Sequence, residues 1–143
     1  MKDFGGFPAN MQFTPVPNLF MNALMPGMDS PELKTMLYIF QAIYLKKGAP
    51  RFASLSELLG NPALMSSMQC EGRMGAEAVK TALGKAVERG AIIDVEVTQE
   101  GKSEHLYFLN TSSDRTAVAR IRAGELRLPQ IEAVKSAEAP AEK

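Results

Sequence analysis

The chain has no tryptophan, one cysteine, one histidine and no excess of charge of either sign. Each shortage excludes a class of chemistry. A single thiol, Cys70, cannot close an internal disulfide, and one Cys with one His, His105, cannot assemble the usual zinc sites or Cys–His nucleophile pairs. Neither motif for cradling phosphate, the glycine-rich loop or the dinucleotide fingerprint, is present, and paired-His motifs are missing too. The expectation is therefore a protein that is not an enzyme and takes no metal and no cofactor. No run approaches the roughly 18 apolar residues of a membrane span, and the opening MKDFGGFPAN lacks the apolar stretch of a signal peptide. A reducing, cytoplasmic setting without membrane contact follows. Lys+Arg and Asp+Glu number 16 each, so any contact with DNA has to come from local patches.

What is present fits one globular domain of 143 residues, 45% hydrophobic, large enough to bury a core without staples. Residues 1–12, with Phe4 and Phe7 among glycines and a proline, read as an arm. Residues 125–143, rich in Ala, Glu, Lys and Pro, read as a disordered tail. Between them, Asn18 caps a short helix, Leu19 to Met25, stopped by Pro26 and Gly27. Ser30 as cap, Pro31 at the first helical position and Glu32 beside the positive end start a long helix that Lys46, Lys47 and Gly48 close. Leu33, Met36, Leu37, Phe40 and Tyr44 form its apolar stripe, and Ile39 with Ile43 a second one, which the arm or another subunit has to cover. Arg51 to Ala53 suits a short strand, Ser54 with Glu57 a capping box, and Asn61 with Pro62 a restarted helical turn. After a turn from Gln69 to Gly75, Ala76 to Arg89 is an amphipathic helix ended by Gly90.

There the period changes from 3.6 to 2. Ala91, Ile93, Val95 and Val97 alternate with Asp94, Glu96 and Thr98, which predicts a half-buried strand. A loop over Gln99 to Ser103 and a return strand from Glu104 to Leu109 complete a ribbon. Ser113 caps a last helix whose inner face is Ala117, Val118 and Ile121. The fold class is thus α+β and mostly helical: a winged helix-turn-helix with an N-terminal arm and helix, a C-terminal hairpin wing and a final helix, spanning 13–124.

FTPVPNLFMNALMPGMDSPELKTMLYIF, KKGAPRFASLSELLGNPAL, ALGKAVERGAIIDVEV, YFLNT and DRTAV together resemble the N-terminal winged-helix domain of bacterial DnaD-like replication initiation proteins, over roughly Phe13 to Arg122. The resemblance implies a role in opening origins or restarting forks and in helicase loading with other primosome proteins, with self-assembly. Family members often carry a second, Trp-containing DNA-binding domain, and this chain has no Trp.

On the predicted recognition helix, Lys80, Thr81 and Lys85, with Arg73 just before it, are placed to meet phosphates or base edges, while Gly84 allows close approach. Glu77 and Glu88 share that face and repel phosphate. The wing, residues 96–104, is acidic, with Glu96, Glu100 and Glu104 against Lys102. A second basic patch holds Arg115, Arg120, Arg122 and Arg127 against Glu125, and guanidinium forks suit phosphate. Two functions stay open: a replication accessory protein that binds DNA weakly and nonspecifically, with a winged-helix transcription regulator as its near variant, or a protein-interaction and oligomerisation module without DNA contact. Tyr107 or Phe108 can stack on bases, though alternation lets only one of them face out. The apolar excess of the N-terminal third predicts a homodimer through Phe13, Leu19, Phe20, Met21, Ile39 and Ile43, with a docked intramolecular arm as the competing explanation.

Overall fold

Proline at the second position and Glu32 in the first turn open the longest helix, α1 (Ser30–Leu45), but its cap is Asp29 and not Ser30. The Asp29 carboxylate accepts from the Glu32 N–H at 3.0 Å, a bond that the longer acidic side chain makes from one residue further back. The computed structural model describes residues 4–48, 50–68, 75–99 and 101–124. The expected tail over 125–143 and the expected turn with Cys70 and Arg73 lie outside the described residues, apart from Gly75. That glycine is already helical.

Ahead of α1, the expected helix from Leu19 to Met25 is a π-helical turn, Phe20–Leu24, followed by a 3-10 turn, Met25–Gly27, and Asn18 does not cap it. Pro26 supplies no N–H to continue a regular ladder. After α1 come β1 (Ala53–Ser54), α2 (Leu55–Leu59), α3 (Pro62–Ser67) and α4 (Gly75–Arg89). Strand pairing begins two residues later than the expected Arg51, at Ala53; Arg51 lies in the loop after α1, its Nε donating to the Gly48 carbonyl at 3.0 Å. The capping box at α2 is complete, with Ser54 Oγ accepting from the Glu57 N–H and the Glu57 carboxylate accepting from the Ser54 N–H. Asn61 caps α3 as its sequence predicts. Gly90, at a φ of +87°, turns the chain out of α4.

Strands β2 (Ile92–Gln99) and β3 (Lys102–Leu109) pair antiparallel from Ile92↔Leu109 to Gln99↔Lys102. The connection is therefore two residues long rather than the expected loop from Gln99 to Ser103, and the return strand starts at Lys102 rather than Glu104. Gly101, at a φ of +78°, provides the positive dihedral that a tight hairpin turn requires. β1 pairs with β3 through Ala53↔Tyr107, giving a three-stranded antiparallel sheet in the order β1-β3-β2. The last helix, α5 (Ser112–Arg122), is capped by Thr111 and not Ser113, the Thr111 hydroxyl accepting from the Asp114 N–H.

Both sheet faces are used. Ile92 and Tyr107 join a main core with Met36, Ile39, Leu58, Leu64, Val79 and Leu83, between the sheet and the helices α1 to α4. On the other face Val95, Leu106 and Phe108 pack with Phe52 and with Val118 of α5. The expected alternation holds along β2, with Ile93, Val95 and Val97 packed towards Phe52 and α5 and Glu96 and Thr98 exposed on the other face, while Ile92 at the base meets the main core. Both Tyr107 and Phe108 are buried, so neither is free to stack on a base. The α1 stripe also needs correction. Buried on α1 are Glu32, Thr35, Met36, Ile39 and Phe40, whereas Leu37 and Tyr44 are exposed, because α4 takes one flank of the helix and Phe20 takes the other. Phe20 meets Phe40 edge to face with ring centroids 5.0 Å apart. Among the described residues no helix is long and apolar enough to cross a membrane.

Candidate functional site

Three surfaces carry the residues that the sequence singles out. The first is a groove between α4 and the hairpin. At i, i+3, i+4 and i+7, α4 presents Lys80, Leu83, Gly84 and Val87; the hairpin presents Asp94, His105 and Tyr107, and Leu55 closes one end of a cavity of about 400 Å³. The Asp94 carboxylate accepts a hydrogen bond from His105 Nδ1 at 2.8 Å. That bond raises the imidazole pKa above its ordinary 6.5; burial opposes it, and the charges of Asp94, Glu96 and Glu104 reinforce it. The Tyr107 ring lies nearly parallel to the imidazole, with centroids 6.3 Å apart. Burial, followed by the nearby carboxylates Asp94 and Glu104, pushes its phenol up to about 12, so it remains a proton donor.

Of the expected DNA contacts on α4, Lys80 and Thr81 are exposed. Lys85 is paired with Asp29, so its charge is balanced within the fold. Glu77 and Glu88 are both exposed. On the hairpin, Glu104 accepts from the N–H and hydroxyl of Ser56 at 3.0 and 2.8 Å, which ties the wing to the start of α2.

The second surface is α5, which lies across the sheet from the groove, so the two basic patches do not merge. Arg115 donates to Asn110 Oδ1 at 2.9 Å and Arg122 to the Asp94 carbonyl at 3.2 Å, so both brace α5 against the hairpin. Arg120 is exposed and has no partner among the described residues. Arg127 lies outside them.

The third surface is apolar. Among the described residues the large exposed hydrophobic side chains are Phe4, Phe7, Met11, Phe13, Leu19, Met21, Leu37, Tyr44 and Leu45, all within the first 45 positions. Of the expected interface, Phe13, Leu19 and Met21 are therefore on the surface. Phe20 and Ile39, at 3% and 0% exposure, are core, and Ile43 is half-buried beside Val16. The second stripe of α1 is covered within one molecule by Val16 and Phe20, which follow the arm, whereas residues 4–12 of the arm itself are exposed. Pro15, Val16 and Pro17 then border an apolar hollow of about 300 Å³ with Phe40, Ile43, Tyr44, Arg51 and Leu109.

Sequence reasoning missed the ion pair whose carboxylate is buried. Glu32, 1% exposed, receives Arg89 Nε and Nη2 at 2.8 Å each, and Nη2 also reaches the Gly27 carbonyl at 3.1 Å. Glu32 stands four and seven residues before Met36 and Ile39, in phase with the buried stripe, and that phase is the available signal. Lys46, expected to complement the α1 dipole, instead spans to the Phe52 carbonyl at 2.6 Å and the Glu57 carboxylate at 2.8 Å. Among the described residues no three His, Cys, Asp or Glu side chains gather as metal ligands. No family model, curated protein or solved structure matches this chain.

Proposed function

We infer that this chain is a non-catalytic interaction protein of winged-helix design, which assembles with a second copy of itself through its N-terminal third. The order α1, β1, α2, α3, α4, β2, β3, with β1 returning to β3, supports the winged-helix reading. The observation that carries the interaction reading is that, among the described residues, the large exposed apolar side chains all fall within residues 4–45. Scattered exposed leucines need no explanation, whereas apolar side chains concentrated in the arm, the turn after it and the one helix that follows mark a surface that a partner covers. The resemblance to DnaD-like proteins supplies the setting, a cytoplasmic replication complex in which primosome proteins are the further partners. Sedimentation of the full chain across a concentration series tests the assembly. Association is expected, and the double change Leu37→Ser with Tyr44→Ser is expected to abolish it with the helical circular dichroism unchanged, since both side chains are exposed on the outer face of α1. A chain that stays monomeric throughout refutes the reading.

A second reading, weak and nonspecific DNA binding, is favoured by one observation, the uncommitted Arg120 between Arg115 and Arg122 on α5. Such binding loses log affinity with log salt at a slope of about −0.9 per phosphate neutralised. Titration of labelled duplex and single-stranded DNA into the wild type and Arg120→Glu, at two salt concentrations, decides it: the reading requires binding at low salt that the substitution weakens.

A further inference from the structure

Gly84 sits in the middle of α4, where glycine costs roughly 1 kcal/mol relative to alanine. Packing does not require it: a Cβ added there meets nothing within 4 Å. What the missing side chain leaves is room, because Gly84 lines the groove with Leu83, Val87, Leu55 and Tyr107 as its apolar floor. Charge decides what suits this space. Lys80 is the cation on its wall, and His105 is engaged by Asp94. Against them stand Asp94 itself, Glu96 on the same sheet face, Glu77 one turn before Lys80 and Glu88 one turn beyond Gly84. Four carboxylates against one ammonium and one imidazole disfavour a polyphosphate backbone and favour a cation.

We propose that the groove between α4 and the hairpin is a docking site for a basic segment of a partner protein, one bulky apolar side chain entering the space above Gly84 while flanking Lys or Arg residues meet Glu77, Glu88 and Glu96. The site is separate from the apolar surface used for self-association, and neither depends on the other. Two labelled peptides and a DNA duplex serve as probes in fluorescence anisotropy with the full chain. One peptide has a Leu-Phe pair flanked on both sides by Lys and Arg; its counterpart carries Glu at every basic position. Saturable binding of the basic peptide that weakens with salt is expected, with no binding of its counterpart. Gly84→Ala is expected to bind nearly as well as the wild type, and Gly84→Leu at least about ten-fold more weakly, since it fills the cavity without altering any charge. Glu96→Lys is expected to weaken the basic peptide as well. Equal affinity of Gly84→Leu and the wild type overturns the proposal by reducing the attraction to diffuse charge. Preference for the acidic peptide overturns it too, as does DNA binding that Gly84→Leu abolishes. Circular dichroism of each variant confirms that it is folded. Self-association, read by sedimentation, is expected to be unchanged in Gly84→Leu, which separates a failure here from a failure of the assembly reading.

Discussion

Thr35 and Glu32 lie one turn apart on the buried side of α1 and show two fates of a polar group taken out of water. The Thr35 hydroxyl has no hydrogen-bond partner among the described residues. Valine has the same shape without the desolvation cost, so Thr35→Val is expected to stabilise the fold by about 1 kcal/mol, read as a higher midpoint in urea. Glu32 is fully satisfied by Arg89, whose own pKa is raised chiefly by that hydrogen bond. Removing the guanidinium leaves a buried carboxylate without its cation. Arg89→Met is accordingly expected to destabilise far more than Lys85→Met, and adding Glu32→Met to it should restore part of the loss. The His105–Asp94 pair is the third polar device, and it responds to pH. Its folded pKa stands above the unfolded value, so its contribution is complete below about 6.5 and is lost as pH rises through the raised value. His105→Asn is expected to cost stability at mildly acidic pH, within the roughly 0.2–1 kcal/mol of a half-exposed pair, and to cost less at alkaline pH. A deficit that grows with pH would contradict this assignment.

At the scale of elements, helix ends carry more than local order. Asp29 caps α1 with one carboxylate oxygen and holds Lys85 of α4 with the other, joining the two helices that frame the main core. Asp29→Asn keeps the cap and should be nearly neutral, whereas Asp29→Ala should lose about 1 kcal/mol, both measured by thermal denaturation. The local rules that the sequence displays openly are those obeyed here: the Ser54–Glu57 box, the Asn61 cap, the Gly90 stop and the switch to strand period after it. Faces were less legible, because they depend on neighbours that no local window contains. Leu37 and Tyr44 are in phase with Met36 and Phe40 yet point to solvent, while Glu32 is in phase with the core and enters it because Arg89, 57 residues away, makes that possible. The same holds for the candidate surfaces. Lys80 and Gly84 were readable as a helix face, but the Asp94–His105 pair opposite them comes into view only once the hairpin register is known.

Across the whole molecule, the segment ahead of α1 holds an exposed stretch, Phe4 to Phe13, followed by a stretch that contributes Val16 and Phe20 to the core while leaving Leu19 and Met21 exposed. Phe4, Phe7 and Phe13 are exposed, with Phe4 and Phe7 in mutual edge contact at 5.0 Å. Val16 and Phe20 pack into the main core. Loss of a buried phenylalanine costs about 3–5 kcal/mol, a large part of the roughly 5–15 kcal/mol that holds a domain of this kind together. Two truncations therefore have opposite outcomes. Removal of residues 1–13 should leave a folded chain with weakened self-association, because the described residues it removes, 4–13, are all exposed. Removal of residues 1–27 takes away Val16, Phe20 and the Gly27 carbonyl that Arg89 uses, uncovers Phe40 and Ile43, and should unfold or aggregate the protein. Circular dichroism and light scattering on the two chains separate these outcomes. If the longer truncation stayed folded and monomeric, the arm would serve assembly alone, and the core role assigned to Phe20 would be wrong.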